Sequence, residues 1–254
     1  MRLSRFAFRA ITLGILLLTV CLAWRIIAAP LDLAEDAAES DKPPLVATFS
    51  IVACDLETGE WGVAVQSRVL AVGSLVPFAR AGVGAIATQA YCNTTYGPRG
   101  LAMLEEGKSA EEVLAALIAD DEDREQRQLA VVDAQGRVAN HTGSECFAFA
   151  GAKAGTHFSC QGNILAGEEV VDAMARAFET AEGDLAAKLL VALAAGQEAG
   201  GDKRGQQSAA LLVVQQDAGY GGFDDRKYDL RVDDHEMPID ELKRLLRMHW
   251  NRRQ

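Results

Sequence analysis

Two polar loops flanked by glycine carry residue types suited to binding a small polar molecule. Gln161 and Asn163 stand on either side of a glycine in "QGN", and Asp202 and Arg204 belong to "DKRG". Such loops often line a cleft. The amides could bind substrate, and the charged pair could grip its α-amino or carboxylate end. Alternatively, Asp202 and Arg204 form a local ion pair.

Other side chains could assist acyl transfer. Gln89 and Asn93 in "TQAYCNTTYG" could donate hydrogen bonds to an oxyanion, or could serve hydrogen bonding within a loop. His141 has neither a G-x-S-x-G motif nor an evident acidic partner, so a structural role is the better interpretation. The four histidines lack metal-ligand spacing and no nucleotide-binding motif is present, so neither a metal nor a cofactor is predicted.

The segments that would position these residues come in blocks. Alternating β-branched residues predict strands at 48–55 and 60–68, joined by the turn "LETG", and another strand follows at 83–91. Pro98 lies where a first helical turn accepts proline, and Ser109 with Glu112 forms a capping box for a helix over 109–120. Later strands are predicted in "RQLAVVDAQGRVANHTG" (a hairpin), "THFSCQGNIL", "QSAALLVVQQ" and "KYDLRVDD", and later helices in "GEEVVDAMARAFETA", "DLAAKLLVALAAGQEA" and "PIDELKRLLRMHW".

Strands and helices that occur in blocks favour antiparallel sheets with helices outside, rather than a parallel doubly wound sheet. The predicted fold class is α+β, a four-layer αββα sandwich of two antiparallel sheets flanked by helices. The 254 residues are 49% hydrophobic, which is enough for one core and too little for several domains. A net charge of −11 argues against a nucleic-acid partner, because phosphate contacts need a basic surface.

The N-terminal region is typical of an exported protein. Three arginines precede an apolar run over 10–24, so residues 1–29 are predicted to be a signal peptide or an uncleaved signal anchor. Residues 30–47 are acidic and flanked by proline, which predicts a linker, and the globular domain is predicted over 48–254. The expected location is periplasmic or membrane-anchored, with membrane contact through the N-terminal segment if it stays uncleaved.

Export affects how the cysteines are interpreted. Cys21 lies in the leader, which leaves an even set in the domain: Cys54, Cys92, Cys146 and Cys160. A disulfide between Cys146 and Cys160 would close the segment "FAFAGAKAGTHFS". The alternative is four buried free thiols.

Five segments carry a likeness to a known family: "TFSIVACDLETGEWGVAVQSRVLAVGSLVPFARAGVGAIATQA", "YGPRGLAMLEEG", "QGNILAG", "GGDKRGQQSAALLVV" and "LRVDDHEMPIDELKRL". Together they resemble the domain of unknown function 1028 family, which is grouped with the N-terminal-nucleophile hydrolases. The resemblance runs from Thr48 to about Leu246. Family members commonly begin at this threonine, directly after the initiator methionine, whereas here a leader and a linker precede it.

The resemblance implies that Thr48 is a nucleophile whose own α-amine acts as the base. This requires cleavage after Ala47, since only a free amine can accept the proton. The alternative is that Thr48 merely begins an edge strand. Ser67 is implied beside the nucleophile. Arg68 stands where relatives often carry lysine, so it could lower the pKa of the amine or grip a carboxylate, but is a poor base.

Three functions remain open on the sequence. The first is an exported or tethered hydrolase of a small amide or peptide. The second is a non-catalytic envelope module for binding or assembly that keeps the same fold. The third is a subunit of a homo-oligomer, since sandwiches of this superfamily often associate.

Overall fold

The computed structural model describes residues 45–46 and 48–251. The alternating segment after Ala47 forms strand β1, Thr48–Asp55, and the next forms β2, Glu60–Ser67. The remaining strands are β3 Pro77–Arg80, β4 Gly84–Ala90, β5 Arg127–Asp133, β6 Val138–Thr142, β7 Gly151–Gly155, β8 Phe158–Gly162, β9 Ser208–Gln215 and β10 Arg226–Val232.

These strands form two antiparallel sheets. The first has six strands in the order β10-β9-β2-β1-β8-β7, and the second has four in the order β3-β4-β5-β6. β1 lies inside the first sheet, paired with β2 on one side and with β8 on the other. The prediction that it might be an edge strand is therefore wrong.

Five helices accompany the sheets in the described part of the chain: α1 Tyr96–Glu105, α2 Ala110–Ala119, α3 Glu169–Thr180, α4 Leu185–Glu198 and α5 Pro238–Asn251. The predicted capping box begins α2, where the Ser109 side chain accepts from the Glu112 amide and the Glu112 carboxylate accepts from the Ser109 amide. α1 and α2 pack on the four-stranded sheet, and α3, α4 and α5 pack on the six-stranded sheet.

Three apolar clusters result from the alternation along the strands. In β1, Ile51 belongs to the cluster beneath α3, α4 and α5, while its neighbour Val52 belongs to the cluster between the two sheets. The third cluster joins the outer face of β4 and β5 to α1 and α2. Gly62 allows α4 to approach β2 closely, because a Cβ there would lie 2.9 Å from Leu189 Cδ1. The fold is therefore α+β with two antiparallel sheets.

Two strands were absent from the predicted set. β3 has only four residues and begins with proline, and β7 is the half-exposed segment "GAKAG". Neither shows the alternation of large apolar residues by which strands are recognised. Each of them is one of the two edge strands of its sheet.

All four cysteines in the described residues are free thiols. The Cys146–Cys160 disulfide is therefore not formed. The Cys146 thiol donates to the carbonyl of Arg127, whereas Cys160 is fully buried in the cluster beneath α3 and α4. Cys54 is also buried, while Cys92 and Cys146 are only half-buried, so the alternative of four buried thiols is correct for two of them.

The predicted leader and linker, residues 1–29 and 30–47, lie outside the described residues apart from positions 45 and 46. Within 45–46 and 48–251, no helix combines the length and apolar composition needed to cross a membrane.

Candidate functional site

The ends of three neighbouring strands, β1, β2 and β9, bring hydroxyl side chains together at one end of the six-stranded sheet. Because neighbouring strands are antiparallel, β1 and β9 begin where β2 ends. Thr48 is paired with Ser67, and Ser67 is paired with Ser208. All three residues are fully buried. The sheet register thus sets a row of enclosed hydroxyl groups across three strands.

Thr48 is held by contacts from both sheets. Its Oγ1 lies 2.9 Å from the carbonyl oxygen of Val46 and 3.1 Å from Oγ of Ser67. Its own carbonyl accepts from the backbone amide of Asn163 at 3.0 Å and from Gln89 Nε2 at 3.3 Å. The hydroxyl is therefore directed towards the backbone that precedes it, beside Ser67.

The "DKRG" loop, residues 202–205, lies at the same end of the six-stranded sheet as this row of hydroxyl groups. Asp202 forms an isolated bridge with Leu165, just beyond the end of β8. Its side chain is enclosed and binds Arg204, with Nη2 at 2.8 Å from Oδ2 and Nε at 3.1 Å from Oδ1. The local ion pair considered from the sequence is thus formed.

Arg68 faces a surface cleft next to the hydroxyl row. Its Nη1 donates to the carbonyl of Gln206 at 3.0 Å. The cleft has a volume of about 440 Å³ and is lined by Arg68, Gln206, Gln207, Asp234, His235, Glu236 and Met237. The loop that follows Arg204 is bound to the end of β2, because the amide of Gln207 donates to the carbonyl of Ser67.

Amide side chains fill the space between the sheets behind Thr48. Gln89 on β4 and Gln128 on β5 are paired in register, and Gln89 Nε2 donates to Gln128 Oε1 at 2.8 Å. Asn163 Nδ2 donates to the same oxygen at 3.2 Å, while Ser50 donates to Gln89 Oε1 at 2.7 Å. Gln161 Nε2 donates to the Ala87 carbonyl at 3.2 Å. We call these five side chains the inter-sheet amide network.

The donors of this network are already directed at protein acceptors. Gln89 Nε2 serves both Gln128 and the Thr48 carbonyl, and Gln128 Nε2 lies 2.9 Å from the carbonyl of Gly162. Two acceptor atoms of the network, Gln161 Oε1 and Asn163 Oδ1, are instead buried without a hydrogen-bond partner among the described residues. Both N–H bonds of the Gln89 side chain are therefore already used within the protein.

Asn93 belongs to a different cluster. Its Nδ2 donates to Asp121 Oδ2 at 3.0 Å, and the same carboxylate accepts from the hydroxyl of Tyr96 at 2.6 Å and from Arg127 Nε at 2.9 Å. Burial alone would raise the pKa of Asp121, but hydrogen bonds from Arg127, Tyr96 and Asn93 hold it well below its usual range. The Asn93 amide thus anchors the start of α1.

Cys92, which follows β4, and Cys54, at the far end of β1 from Thr48, are poor nucleophiles. Burial raises the pKa of Cys92 to about 11 and that of Cys54 to about 12, so both thiols stay protonated at neutral pH. Across residues 45–46 and 48–251, no group of three His, Cys, Asp or Glu side chains could hold a metal ion.

The residues predicted from the sequence therefore fall into three places. Thr48 and Ser67 share the hydroxyl row, and Asp202 and Arg204 lie at its edge. Gln89, Gln161 and Asn163 are linked through the inter-sheet amide network, whereas Arg68 faces the surface cleft and Asn93 binds Asp121.

Sequence reasoning missed Val46, Ser50 and Gln128. Ser50 and Gln128 are polar residues within otherwise apolar strands, and this is the signal that could have indicated them.

The fold has a solved counterpart. The crystal structure of a protein from Silicibacter pomeroyi, itself described as DUF1028, matches with a TM-score of 0.73 and 34% sequence identity, covering 80% of this chain and 85% of that chain. The sequence also matches the family of unknown function DUF1028 over residues 48–242. The chain belongs to the DUF1028 family. No curated protein matches it.

Replacing Gln128 should disrupt the network. In Gln128→Leu the Asn163 amide loses its acceptor and the Gly162 carbonyl loses a donor, so we expect a loss of about 2–4 kcal/mol in the free energy of unfolding. Thr142→Val is the matched control, because it removes one partner of Gln128 Nε2 at 2.9 Å and leaves the others, and should cost about 1 kcal/mol or less. Urea unfolding monitored by tryptophan fluorescence measures both, and equal losses would contradict the central role of Gln128.

The Asp121 cluster should make stability depend on pH. Asp121→Asn should lower the free energy of unfolding at pH 7 by about 2 kcal/mol, because a carboxylate with charge-assisted hydrogen bonds is lost. The folded pKa of Asp121 is depressed, so its contribution is complete above the unfolded pKa of about 4 and is lost as the pH falls below it. The difference in the free energy of unfolding between wild type and Asp121→Asn should therefore be smaller at pH 3 than at pH 7. Asp120→Asn, in an exposed pair with Arg99, is the control and should change stability by under about 0.5 kcal/mol at either pH.

Proposed function

We propose that this protein is an exported or membrane-tethered hydrolase of amide or peptide bonds, with Thr48 as an N-terminal nucleophile after the chain is cut before it. The observation that carries the proposal is the position of Thr48. Its hydroxyl is enclosed where three strand ends meet and is directed at its own upstream backbone, 2.9 Å from the carbonyl of Val46. A hydroxyl directed at the backbone before it is suited to intramolecular attack on that backbone.

The proposal includes the finer fold, a four-layer αββα sandwich of the N-terminal-nucleophile type. The three apolar clusters support it, since one lies between the sheets and the other two lie between a sheet and its helices. Membership in DUF1028 is compatible with this fold but does not specify an activity.

Processing would proceed by an acyl shift. Thr48 Oγ1 attacks the carbonyl carbon of Ala47, the C–N bond breaks, and the nitrogen of Thr48 takes the hydroxyl proton. Water then hydrolyses the resulting ester, which releases residues 1–47 with a terminal carboxylate and leaves Thr48 with a free amine and a free hydroxyl. No external oxidant or reductant is needed.

Turnover would use the same atoms. The free amine accepts the proton of the Thr48 hydroxyl, Oγ1 attacks the substrate carbonyl, and the proton passes to the leaving amine before water cleaves the ester. Ser67 Oγ lies 3.1 Å from Thr48 Oγ1 and would orient that hydroxyl. Arg68 is one residue further on, and its positive charge would help to keep the amine neutral or attract a carboxylate from the adjoining cleft.

The remaining predicted residues would support Thr48 in different ways, some by direct contact and others from further away. Gln89 and Asn163 bind the carbonyl of Thr48 and so position it, and Gln161 supports them from between the sheets. The ion pair of Asp202 and Arg204 would hold the "DKRG" loop in shape beside the hydroxyl row. Asn93 would act only by anchoring α1.

A non-catalytic envelope module, acting in binding or assembly, is the second candidate. The observation in its favour is that Val46 remains paired with Ala90 in front of Thr48, so the uncut chain seals the hydroxyl row. Association into a homo-oligomer is compatible with either function.

The two candidates differ in the N-terminus of the mature chain. Full-length protein should lose residues 1–47, so that intact mass and N-terminal sequencing show a chain beginning "TFSIV". Thr48→Ser keeps a hydroxyl and should still be cut, whereas Thr48→Val has nearly the same shape without the hydroxyl and should stay intact. Hydrolysis of a fluorogenic peptide amide should fall at least 100-fold in Thr48→Val.

Stability must be measured alongside, because Thr48 is fully buried. The loss of its hydrogen bonds should cost about 1 kcal/mol, which leaves the fold intact. A wild-type chain that keeps its leader, or a Thr48→Val chain cut as fast as wild type, would contradict self-processing.

A further inference from the structure

Val46, two residues before Thr48, is bound into the fold through an isolated β-bridge to Ala90. The amide of Val46 donates to the carbonyl of Ala90 at 2.8 Å, and the amide of Ala90 donates to the carbonyl of Val46 at 3.0 Å. Val46 is 3% exposed and belongs to the apolar cluster between the sheets. We call the place that Val46 occupies, at the end of β4, the Ala90 slot.

Removal of the segment before Thr48 would leave the slot unsatisfied. Ala90 is 1% exposed, and both of its backbone hydrogen-bonding groups are paired with Val46. A buried backbone N–H or C=O without a partner is unfavourable, so an empty slot favours any ligand that supplies both a donor and an acceptor at strand spacing. An extended peptide does this.

The Ala90 slot also adjoins the proposed nucleophile, Thr48, on the side where the acyl part of a substrate would lie. The carbonyl of Val46 accepts from Ala90 and lies 2.9 Å from Thr48 Oγ1. In processing and in turnover alike, the acyl carbon becomes bonded to Oγ1. The acyl part of a substrate therefore extends from the same atom as the upstream segment does.

We infer that the Ala90 slot is the acyl-side substrate site, an inference that rests on the proposed function of Thr48. The substrate is an extended peptide with a small branched apolar side chain one residue before the carbonyl that is attacked. Leu45-Val46-Ala47 is the chain's own version of it. A charged side chain in that position is excluded, because it would be buried without a partner.

Binding of a peptide in trans tests the slot without any need for turnover. All proteins are full-length and carry Thr48→Ala, so the chain stays uncut. The probe is the peptide amide Leu-Val-Ala with a fluorophore on its N-terminus, followed by fluorescence anisotropy. Thr48→Ala alone keeps Val46 in the slot, whereas adding Val46→Asp should expel it, and adding Val46→Ile is the control that keeps it filled.

We expect the Val46→Asp protein to bind the probe at least tenfold more tightly than either the Thr48→Ala parent or the Val46→Ile control. A probe with lysine in place of valine should bind at least tenfold more weakly. Circular dichroism and melting temperature establish that each protein is folded. If Val46→Asp does not fold, Val46→Gly replaces it, because it removes the side chain without adding a charge.

Two results would overturn the inference: a folded Val46 variant that binds no better than its parent, or equal binding of the valine and lysine probes. If the wild type processes itself and hydrolyses amides while the slot binds nothing, the slot is wrong and the nucleophile stands. If the slot binds as expected but the wild type is never cut, the slot is supported as a peptide site and the hydrolase function is wrong.

Discussion

The side-chain amide of Gln128 is the interaction on which the arrangement of the two sheets depends. It lies on β5 in the four-stranded sheet, yet its Nε2 reaches the carbonyl of Gly162 at the end of β8 in the other sheet. Its Oε1 accepts from Gln89 and Asn163, which both also bind the carbonyl of Thr48. Apolar contacts can hold two sheets together at several offsets, whereas these hydrogen bonds are satisfied at one.

The position of Thr48 follows from this constraint. Strand pairing alone would place its hydroxyl opposite Ser67, but would not determine its distance from the second sheet. The amide network fixes that distance, and the bridge between Val46 and Ala90 fixes the direction from which the chain arrives. The site is therefore built on rigid strands from both sheets, which suits a group that must keep its geometry through a reaction.

Much of the fold could be predicted from the sequence, because the long strands alternate and two of the helices begin at recognisable caps, Ser109 and Asp184. β1 was predicted with its observed bounds, and the Ser109 capping box formed as expected. β3 and β7 were missed because short edge strands need little apolar surface. Gln128 could not be linked to Thr48, since that contact depends on how two sheets stack, and stacking leaves no local pattern in the sequence.

The structure brings some of the residues proposed for chemistry together and separates others, for a related reason. Thr48 and Ser67 come together because strand pairing follows from alternation and turn length. Asn93 was placed beside Gln89 by closeness in sequence, but the backbone of Ala90 has a positive φ of 67°, and the chain turns there towards α1. Nearness along a chain is a poor guide wherever the backbone leaves a strand.

The four thiols of the folded domain have a consequence for where it can exist. None is joined to another, and burial raises the pKa of each above that of an ordinary cysteine. Oxidation requires thiolate, so these cysteines react slowly with disulfides. An oxidising compartment would therefore modify the covalent structure of the domain only slowly.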